Sequence, residues 1–369
     1  MKIKDLCSYA PKSRTKAGEA VENAKYIFFT SSADENKRYT DFQFDKEAVI
    51  MGTGGNATLH YYNGKFSVST DCLVLLPNSK IKCKYLYYFF KSHMSVLEAG
   101  FKGAGLKHTN KKYIEEINIS EVSDLTTQEK IISHLDTISE NVEKLKRELE
   151  LFDSLTKARF VEMFGDPQIN EKGFIKAPMG EYLSVLTDFS SNGSYKTLDS
   201  GVIMYDEPSY AWMVRTTDLE SGDMSSIKYI DKKAYELLSK SKIFGGEIIM
   251  NKIGSAGKIY LMPKPTMSAS LGRNAFMFRF DERINNVFIY YLLTSDYGQR
   301  EIQQYVRGAV TKTITKDDAR AVLIIEPPIK LQKQFVDFVQ QVDKSKLAVQ
   351  QSLEKTQQLF DSLMQEYFG

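Results

Sequence analysis

The 369-residue sequence predicts an α+β fold in which two globular α/β units alternate with two long helices, with an internal pseudo-two-fold duplication. Two observations predict it. Residues 128–165 align without a gap with residues 332–369, and glycine-rich, strand-like segments recur before each of them. The predicted segments are a first globular unit at 1–125, a first long helix at 126–167, a second globular unit at 168–327 and a second long helix at 328–369.

The two long helical segments carry apolar residues at alternating spacings of four and three, the pattern of a coiled-coil seam. We expect Thr126 or Thr127 to cap the first helix and Gly165-Asp-Pro167 to end it. A lone amphipathic helix of about 57 Å, at about 1.5 Å per residue, cannot bury its seam, so the two helices should pack on each other. The predicted seam residues are Ile138, Val142, Leu145, Leu149 and Phe152 in the first helix, and Val349, Leu353, Thr356, Phe360, Leu363 and Tyr367 in the second.

The register of the helical repeat stays open by about one turn, because the pentapeptide LFDSL recurs with a shift of four further residues.

The globular units share shorter motifs. Each unit contains a glycine-rich stretch after a strand-like run, then an aromatic run, and then a Gly-Ala loop. These pairs are 52–56 with 251–257, 85–90 with 288–293, and 103–109 with 308–314. Strand-like residues follow the first glycine stretch, which predicts a β-hairpin turn rather than a nucleotide-binding loop before a helix.

The net charge of +2 gives no indication of the partners, but the distribution of charge does. Residues 80–112 carry a net charge of +7 and residues 240–320 carry +6, whereas the helix at 128–165 carries −2. A single patch of this kind is more often a solvated lysine-rich surface. Two patches at matching positions of a duplicated unit favour contacts with phosphate and base edges.

The sequence offers no pattern for catalysis or metal binding. Its three cysteines and four histidines lie at unrelated spacings, which excludes a disulfide framework and a zinc motif and favours a reduced, cytoplasmic setting. We find no nucleophile elbow, metalloprotease motif or phosphate-binding loop. We therefore expect no enzyme active site, no cofactor and no metal in this chain, and no membrane segment.

Over essentially its whole length, the chain resembles the specificity subunit of Type I restriction–modification systems. The ordered combination of motifs carries the resemblance rather than any one of them. The motifs are YIFFTSS at 26–32 with the strand–glycine segment at 47–77, the central helix ending in EMFGDP, AWMVRTTDL at 211–219, GEIIMNKIGSAGKIYL at 246–261, LIIEPP at 323–328 and the C-terminal helix.

The resemblance implies that each globular unit is a target-recognition domain that reads one half of a bipartite, asymmetric DNA site. It also implies that the helices pack as an antiparallel coiled coil that spaces the two domains. We expect this helix pair to hold the two units about one turn of DNA apart, as the geometry of two-site DNA binders requires. By the same resemblance the chain is non-catalytic. It docks two methyltransferase (modification) subunits, which bring S-adenosylmethionine, and restriction subunits, which use ATP and Mg.

The basic loops and the glycine turns supply the candidate DNA-binding residues. The candidates for phosphate contacts are Lys102, Lys107, Lys111 and Lys112 in the first unit, and Arg307, Lys312 and Lys316 in the second. Glycine lets a backbone N–H approach phosphate closely. The glycines expected to do so are Gly54, Gly55, Gly254 and Gly257. The candidates for base contacts are Asn56, His108, Asn110, Arg215, Lys252, Arg273 and Thr311, each with an ordinary polar surface role as the alternative.

On the long helices, the candidates for docking the methyltransferase subunits are Lys146, Arg147, Lys344 and Lys346. Two other functions remain open. A coiled-coil scaffold without DNA binding would not need two matched basic patches. A stand-alone DNA methyltransferase would use the glycine stretch at 52–55 for its cofactor, which a titration with the isolated chain tests.

Overall fold

The chain folds into two compact bodies in the computed structural model, which describes residues 1–119 and 122–369. One body comprises residues 1–148 and 349–369, and the other comprises residues 149–348. Each body thus holds one globular unit and one half of each long helix, and the predicted limits of the four segments stay predictions. Residues 120 and 121, within the predicted first unit, lie outside the described residues.

The first globular unit is a mixed sheet covered by helices. Its strands are β1 (Cys7–Tyr9), β2 (Tyr26–Phe29), β3 (Arg38–Tyr39), β4 (Phe44–Gly52), β5 (Leu59–Val68) and β6 (Cys72–Pro77), in the sheet order β1-β6-β4-β5-β2-β3. The helices that follow are α1 (Cys83–Ser92), α2 (Met94–Ala99), α3 (Lys111–Glu116) and the long α4 (Leu125–Phe164). The aromatic run lies in α1, whose Leu86 and Phe90 are fully buried in one core with Val49 and Leu75 of the sheet.

The second globular unit repeats this plan with insertions. Its strands are β7 (Ile175–Pro178), β8 (Leu183–Asp188), β9 (Ala211–Val214), β10 (Lys228–Ile230), β11 (Lys242–Ile243), β12 (Ile248–Asn251), β13 (Ile259–Leu261), β14 (Ser268–Leu271), β15 (Ala275–Phe280) and β16 (Leu323–Glu326). Its helices are α5 (Tyr195–Gly201), α6 (Thr216–Ser221), α7 (Lys232–Leu237), α8 (Asn286–Thr294), α9 (Asp296–Gln303) and α10 (Lys316–Ala321), followed by the long α11 (Ile329–Phe368). The sheets are β13-β12-β15-β8, β10-β9-β14-β11 and β16-β7.

One long strand of the first unit is divided in the second. In the first unit β5 pairs antiparallel with β4 and continues to pair in parallel with β2. In the second unit β13 pairs antiparallel with β12, and the separate strand β14 pairs in parallel with β9. Pro263 and Pro265 lie between β13 and β14. Proline has no backbone N–H to donate to a neighbouring strand, so the two prolines account for the division into two sheets.

Both predicted long helices are confirmed, and in each body their segments run antiparallel. In the first body, Nδ1 of His134 lies 3.1 Å from the hydroxyl of Tyr367. In the second body, Nζ of Lys346 donates to Oδ1 of Asp153 at 2.7 Å. The predicted seam residues Val142 and Phe360 are buried, and the other predicted seam residues are half-buried. The described helices include none that is both long and apolar enough to cross a membrane.

The predicted cap of the first long helix was wrong, whereas its predicted end is confirmed. Asp124 caps the helix, because its Oδ1 accepts the N–H groups of Thr126 and Thr127 at 2.9 and 3.1 Å. Aspartate is a stronger cap than threonine, so the helix begins at Leu125, directly after Asp124. It ends at Phe164, before Gly165 with φ of +72°.

A buried glutamine joins each long helix to its globular unit in the same way. Gln128 and Gln332 are both fully buried and occupy matching positions of the helical repeat. Oε1 of Gln128 accepts the N–H of Lys82 at 2.8 Å, and Oε1 of Gln332 accepts the N–H of Asn285 at 2.8 Å. Lys82 and Asn285 each precede the aromatic helix of their unit, α1 and α8. The duplication predicted from the sequence therefore extends to individual hydrogen bonds.

Candidate nucleic-acid interface

In the first unit the glycine hairpin and the basic loop lie side by side. The hairpin tip between β4 and β5 (53–58) and the loop at 102–109 together form what we call the first loop pair. The N–H of Gly55 donates to the carbonyl of Lys107 at 2.9 Å, and the N–H of Thr109 donates to the carbonyl of Thr53 at 3.0 Å. The tip lies between antiparallel strands, which confirms the predicted hairpin turn.

The second unit has the same arrangement at matching positions. The tip between β12 and β13 (252–258) and the loop at 307–314 form the second loop pair. The N–H of Gly254 donates to the carbonyl of Lys312 at 2.9 Å, and the N–H of Ile314 donates to the carbonyl of Lys252 at 3.0 Å. The fold thus brings together, twice, a glycine turn and a lysine loop that lie far apart in the sequence.

The glycines of the tips hold this arrangement together. Gly55 and Gly254 have φ of +83° and +82°, a region that residues with a side chain rarely adopt. Their N–H groups donate to the opposite loop. The N–H of Gly54 donates to Oγ of Ser31 at 3.3 Å, and the N–H of Gly257 donates to the carbonyl of Asn251 at 2.8 Å. Each of these four N–H groups already has a partner within the chain, so a phosphate would have to share or displace that partner, and the expected phosphate contacts stay a prediction.

The lysines of the first basic loop and of the start of α3 project into solvent. Lys102, Lys107 and Lys112 are exposed, and none of them lies within 4.0 Å of a carboxylate in the described part of the chain. Lys111 lies 3.4 Å from the carboxylate of Glu115 and is itself about half exposed. The fold therefore places a group of accessible cations on one loop and the helix that follows it.

The predicted base contacts of the first unit occupy the same surface. Asn56 and His108 are exposed at the tip and on the loop, and the backbone of His108 bridges to Gly54 and Lys102. Asn110 is exposed but its Oδ1 accepts the N–H of Tyr113 at 3.1 Å, which caps α3. Asn110 thus has a structural role that sequence reasoning did not predict.

In the second unit two of the predicted lysines are bound to an acid that sequence reasoning missed. Nζ of Lys252 donates to Oδ2 of Asp188 at 2.7 Å, and Nζ of Lys316 donates to Oδ1 at 2.8 Å and to Oγ of Ser191 at 2.7 Å. Burial acts to raise the pKa of the Asp188 carboxyl, but the hydrogen bonds from Lys252, Lys316 and Ser191 outweigh it and hold this pKa well below its usual range. Asp188 is 64 residues from Lys252, so no local pattern indicates the contact.

The predicted arginines of the second unit are also engaged. Nε of Arg215 donates to Oδ1 of the buried Asp218 at 2.9 Å, and Nη2 donates to the carbonyl of Ser226 at 2.8 Å. Nη2 of Arg273 donates to Oδ1 of Asp199 at 3.1 Å. Arg215 in particular fixes the start of α6, which is a sufficient structural reason for an arginine at this position.

The rest of the second loop pair is more accessible. Lys312 and Thr311 are exposed, and no carboxylate of the described chain lies within 4.0 Å of the Lys312 ammonium group. Nη2 of Arg307 donates to Oδ1 of Asp318 at 3.0 Å, although the Arg307 side chain is 74% exposed. Asp318 also forms a capping box with Thr315 at the start of α10.

Comparison with known proteins agrees with this architecture. The family model for the Type I restriction modification DNA specificity domain matches residues 1–151 and 175–358. The chain is 23% identical over 316 residues to the Type I restriction enzyme MjaVIII specificity subunit of Methanocaldococcus jannaschii, which covers 81% of this chain and 72% of that protein. It is 32% identical over 159 residues to the MpnII specificity subunit of Mycoplasma pneumoniae, covering 40% and 47% respectively.

The fold is likewise similar to solved structures. The crystal structure of the S subunit of a Type I restriction–modification system from M. genitalium matches with a TM-score of 0.66 at 16% identity, covering 100% of this chain and 95% of that one. A second structure, from work on complex assembly and conformational transition of the type I R-M system, matches with a TM-score of 0.53 at 15% identity, covering 100% and 96%. These two matches show a shared fold, and the family model, which spans most of the sequence, shows that the chain belongs to the Type I restriction–modification specificity subunit family.

Proposed function

We propose that this chain recognises a bipartite, asymmetric DNA site, with one globular unit on each half-site. The observation that carries the proposal is the repeated loop pair, in which a glycine hairpin supports a lysine loop at the same place in both units. Exposed lysines contact phosphates and set the register, while neighbouring polar side chains such as Asn56, His108 and Thr311 face base edges. The units differ outside the shared motifs, which is what two different half-sites require.

We also propose that the chain is non-catalytic and docks two methyltransferase subunits and the restriction subunits. The long helices support this, because they carry exposed apolar side chains among their charged residues: Leu151, Leu155, Val161, Leu347 and Leu359. Of the predicted docking residues, Lys346 bonds to Asp153 and Lys146 bonds to Glu143 at 2.9 Å, while Arg147 and Lys344 are exposed. S-adenosylmethionine, ATP and Mg then belong to the partner subunits.

Methylation mapping tests the function as a whole. The chain is expressed with its modification subunit, and genomic methylation is compared with that of cells that express the modification subunit alone. We expect a split methylated motif that depends on this chain, and exchange of residues 168–327 for those of a relative should change only one half of it. If an active modification subunit gives no chain-dependent motif, the proposal is refuted and the scaffold alternative is favoured.

A binding measurement tests the loop pairs directly. The double substitution Lys107→Ala with Lys312→Ala removes one exposed cation from each loop. We expect weaker binding to every duplex and a salt dependence that is shallower by about 1.8, because each lysine–phosphate interaction contributes about 0.9 to the slope. The matched control is Lys130→Ala with Lys333→Ala, which removes two exposed lysines near the starts of α4 and α11. Equal effects from both pairs would show that overall charge, and not the loop surface, governs binding.

A further inference from the structure

We propose that the two globular units contribute unequally to DNA binding: the first unit supplies most of the phosphate contacts, and the second unit supplies few. This inference rests on the proposed function, because it concerns the same two loop pairs. It goes further by assigning the electrostatic part of the affinity mainly to one of them. The reason lies in the acids that surround the matching cations of the two units.

The sequences of the two loops already differ in charge. Residues 102–112 carry four lysines and no acid, which gives +4. The matching residues 307–317 carry three basic residues and one acid, which gives +2. The matching residues are Lys102 with Arg307, Lys107 with Lys312, and Lys111 with Lys316. These three pairs allow the same position to be compared in the two units.

The tertiary structure increases this difference. Of the candidate cations in the second unit, only Lys312 lies more than 4.0 Å from every carboxylate of the described chain. Each of the others has an acidic partner: Arg215 with Asp218, Lys252 and Lys316 with Asp188, Arg273 with Asp199, and Arg307 with Asp318. Among the candidate cations of the first unit, only Lys111 has such a partner within the described residues, Glu115 at 3.4 Å on α3. This contact is weaker than the matching one between Arg307 and Asp318, because Glu115 is 26% exposed and lies 3.4 Å from Lys111. Asp318 is only 12% exposed, lies 3.0 Å from Arg307 and also accepts a hydrogen bond from the Thr315 hydroxyl at 2.6 Å.

The strand ends next to Lys111 and Lys316 explain the contrast. Strand β8 lies beside β15 in the second unit as β1 lies beside β6 in the first. Strand β8 ends in Asp188, which binds Lys316, whereas β1 ends in Tyr9, whose neutral ring has its centroid 4.4 Å from the Lys111 ammonium group. Among the described residues, Lys111 therefore has only the 3.4 Å contact with Glu115 to give up when it binds an external anion.

This difference matters because counterion release drives phosphate binding. A free lysine releases a condensed cation from DNA when it contacts a phosphate, and each such contact adds about 0.9 to the slope of log K against log salt concentration. A lysine or arginine that is already paired with a carboxylate of low exposure, as Lys316 is with Asp188 and Arg307 with Asp318, must give up that partner before it binds a phosphate. At the three matched positions, the first unit offers three available lysines and the second unit offers one. The salt dependence of DNA binding should therefore come mainly from the first unit.

Matched triple variants of the full chain test the proposal with a fluorescent duplex DNA of mixed sequence. The first carries Lys102→Ala, Lys107→Ala and Lys111→Ala, and the second carries Arg307→Ala, Lys312→Ala and Lys316→Ala. We expect the salt slope to fall by about 2.7 in the first and by about 0.9 in the second. Equal losses, or a larger loss in the second, would overturn the unequal division. A wild-type chain without salt-dependent binding would instead overturn the proposed function itself.

Because Lys316 also supports the fold through Asp188, a pair of single variants provides an independent test. Lys102→Gln and Arg307→Gln alter matching exposed side chains, and neither of these side chains is buried. We expect the first to reduce the salt slope by about 0.9 and the second to leave it nearly unchanged. Equal reductions would overturn the proposal. The thermal unfolding of both variants, followed by circular dichroism, should match that of the wild type.

Discussion

Replacement of Asp188 by asparagine should destabilise the second body without affecting the first. The Asp188 side chain is 7% exposed and binds the ammonium groups of Lys252 and Lys316. The Lys252 side chain is itself only 16% exposed. A neutral amide at this position would not compensate the two positive charges. Removing one partner of a buried ion pair costs about 3–5 kcal/mol, and the partial solvation of Lys316 places the expected loss at the lower end, about 3 kcal/mol. For a body of this size, that corresponds to a fall in Tm of about 6–12 °C.

Trp212 provides an assay that reports on this body alone. It is the only tryptophan in the chain, it is 2% exposed, and its Nε1 donates to Oδ2 of Asp218 at 3.2 Å. Its fluorescence during thermal unfolding therefore follows the second body of the intact protein. The matched control is Asp199→Asn, which breaks the exposed pair with Arg273 and should cost about 0–1 kcal/mol. Equal midpoints for Asp188→Asn and the wild type would refute the reasoning.

The same cluster gives a prediction for pH. The pKa of Asp188 is lowered in the folded chain, so its contribution to stability is present above the unfolded pKa of about 4 and is lost as the pH falls through the folded value. As the pH is lowered below about 4, the thermal unfolding midpoint reported by Trp212 fluorescence should therefore fall more steeply for the wild type than for Asp188→Asn. Parallel pH profiles for the two proteins would contradict this linkage.

Two further predictions concern buried groups. Gln332→Ala leaves buried backbone groups without hydrogen-bond partners, at a cost of about 1–3 kcal/mol, so it should lower the thermal midpoint reported by Trp212 fluorescence. Gln128→Ala should lower the stability seen by circular dichroism and leave the Trp212 midpoint unchanged. The reverse pattern would contradict the assignment of each glutamine to its own body. Burial raises the pKa of Cys7 to about 12 and that of Cys72 to about 11, and also raises that of Cys83, so all three thiols should resist a thiol reagent at neutral pH until the chain is unfolded in urea. Rapid labelling of the native protein would refute their burial.

The sequence by itself was sufficient to predict the duplication, both long helices and the hairpin at the first glycine stretch. These features depend on local or periodic patterns: a heptad seam reflects the helical repeat, and strand-like residues on both sides of a glycine stretch indicate a hairpin. The matched positions of Lys107 and Lys312 also follow from the repeat. The N-cap was misplaced by two or three residues, because Thr126 and Thr127 compete with Asp124 at the same helix start.

Only the tertiary structure decided which of the predicted cations are accessible. Lys316 matches Lys111 in the repeat and Lys252 lies in the second glycine stretch, but the end of β8 brings Asp188 to them across 128 and 64 residues. Whether a lysine keeps its charge available depends on which acid the chain places within a few ångströms of it, and that distance is set by strand pairing rather than by spacing along the sequence. The same holds for the glycine N–H groups of Gly55 and Gly254, which donate to carbonyls of the opposite loop.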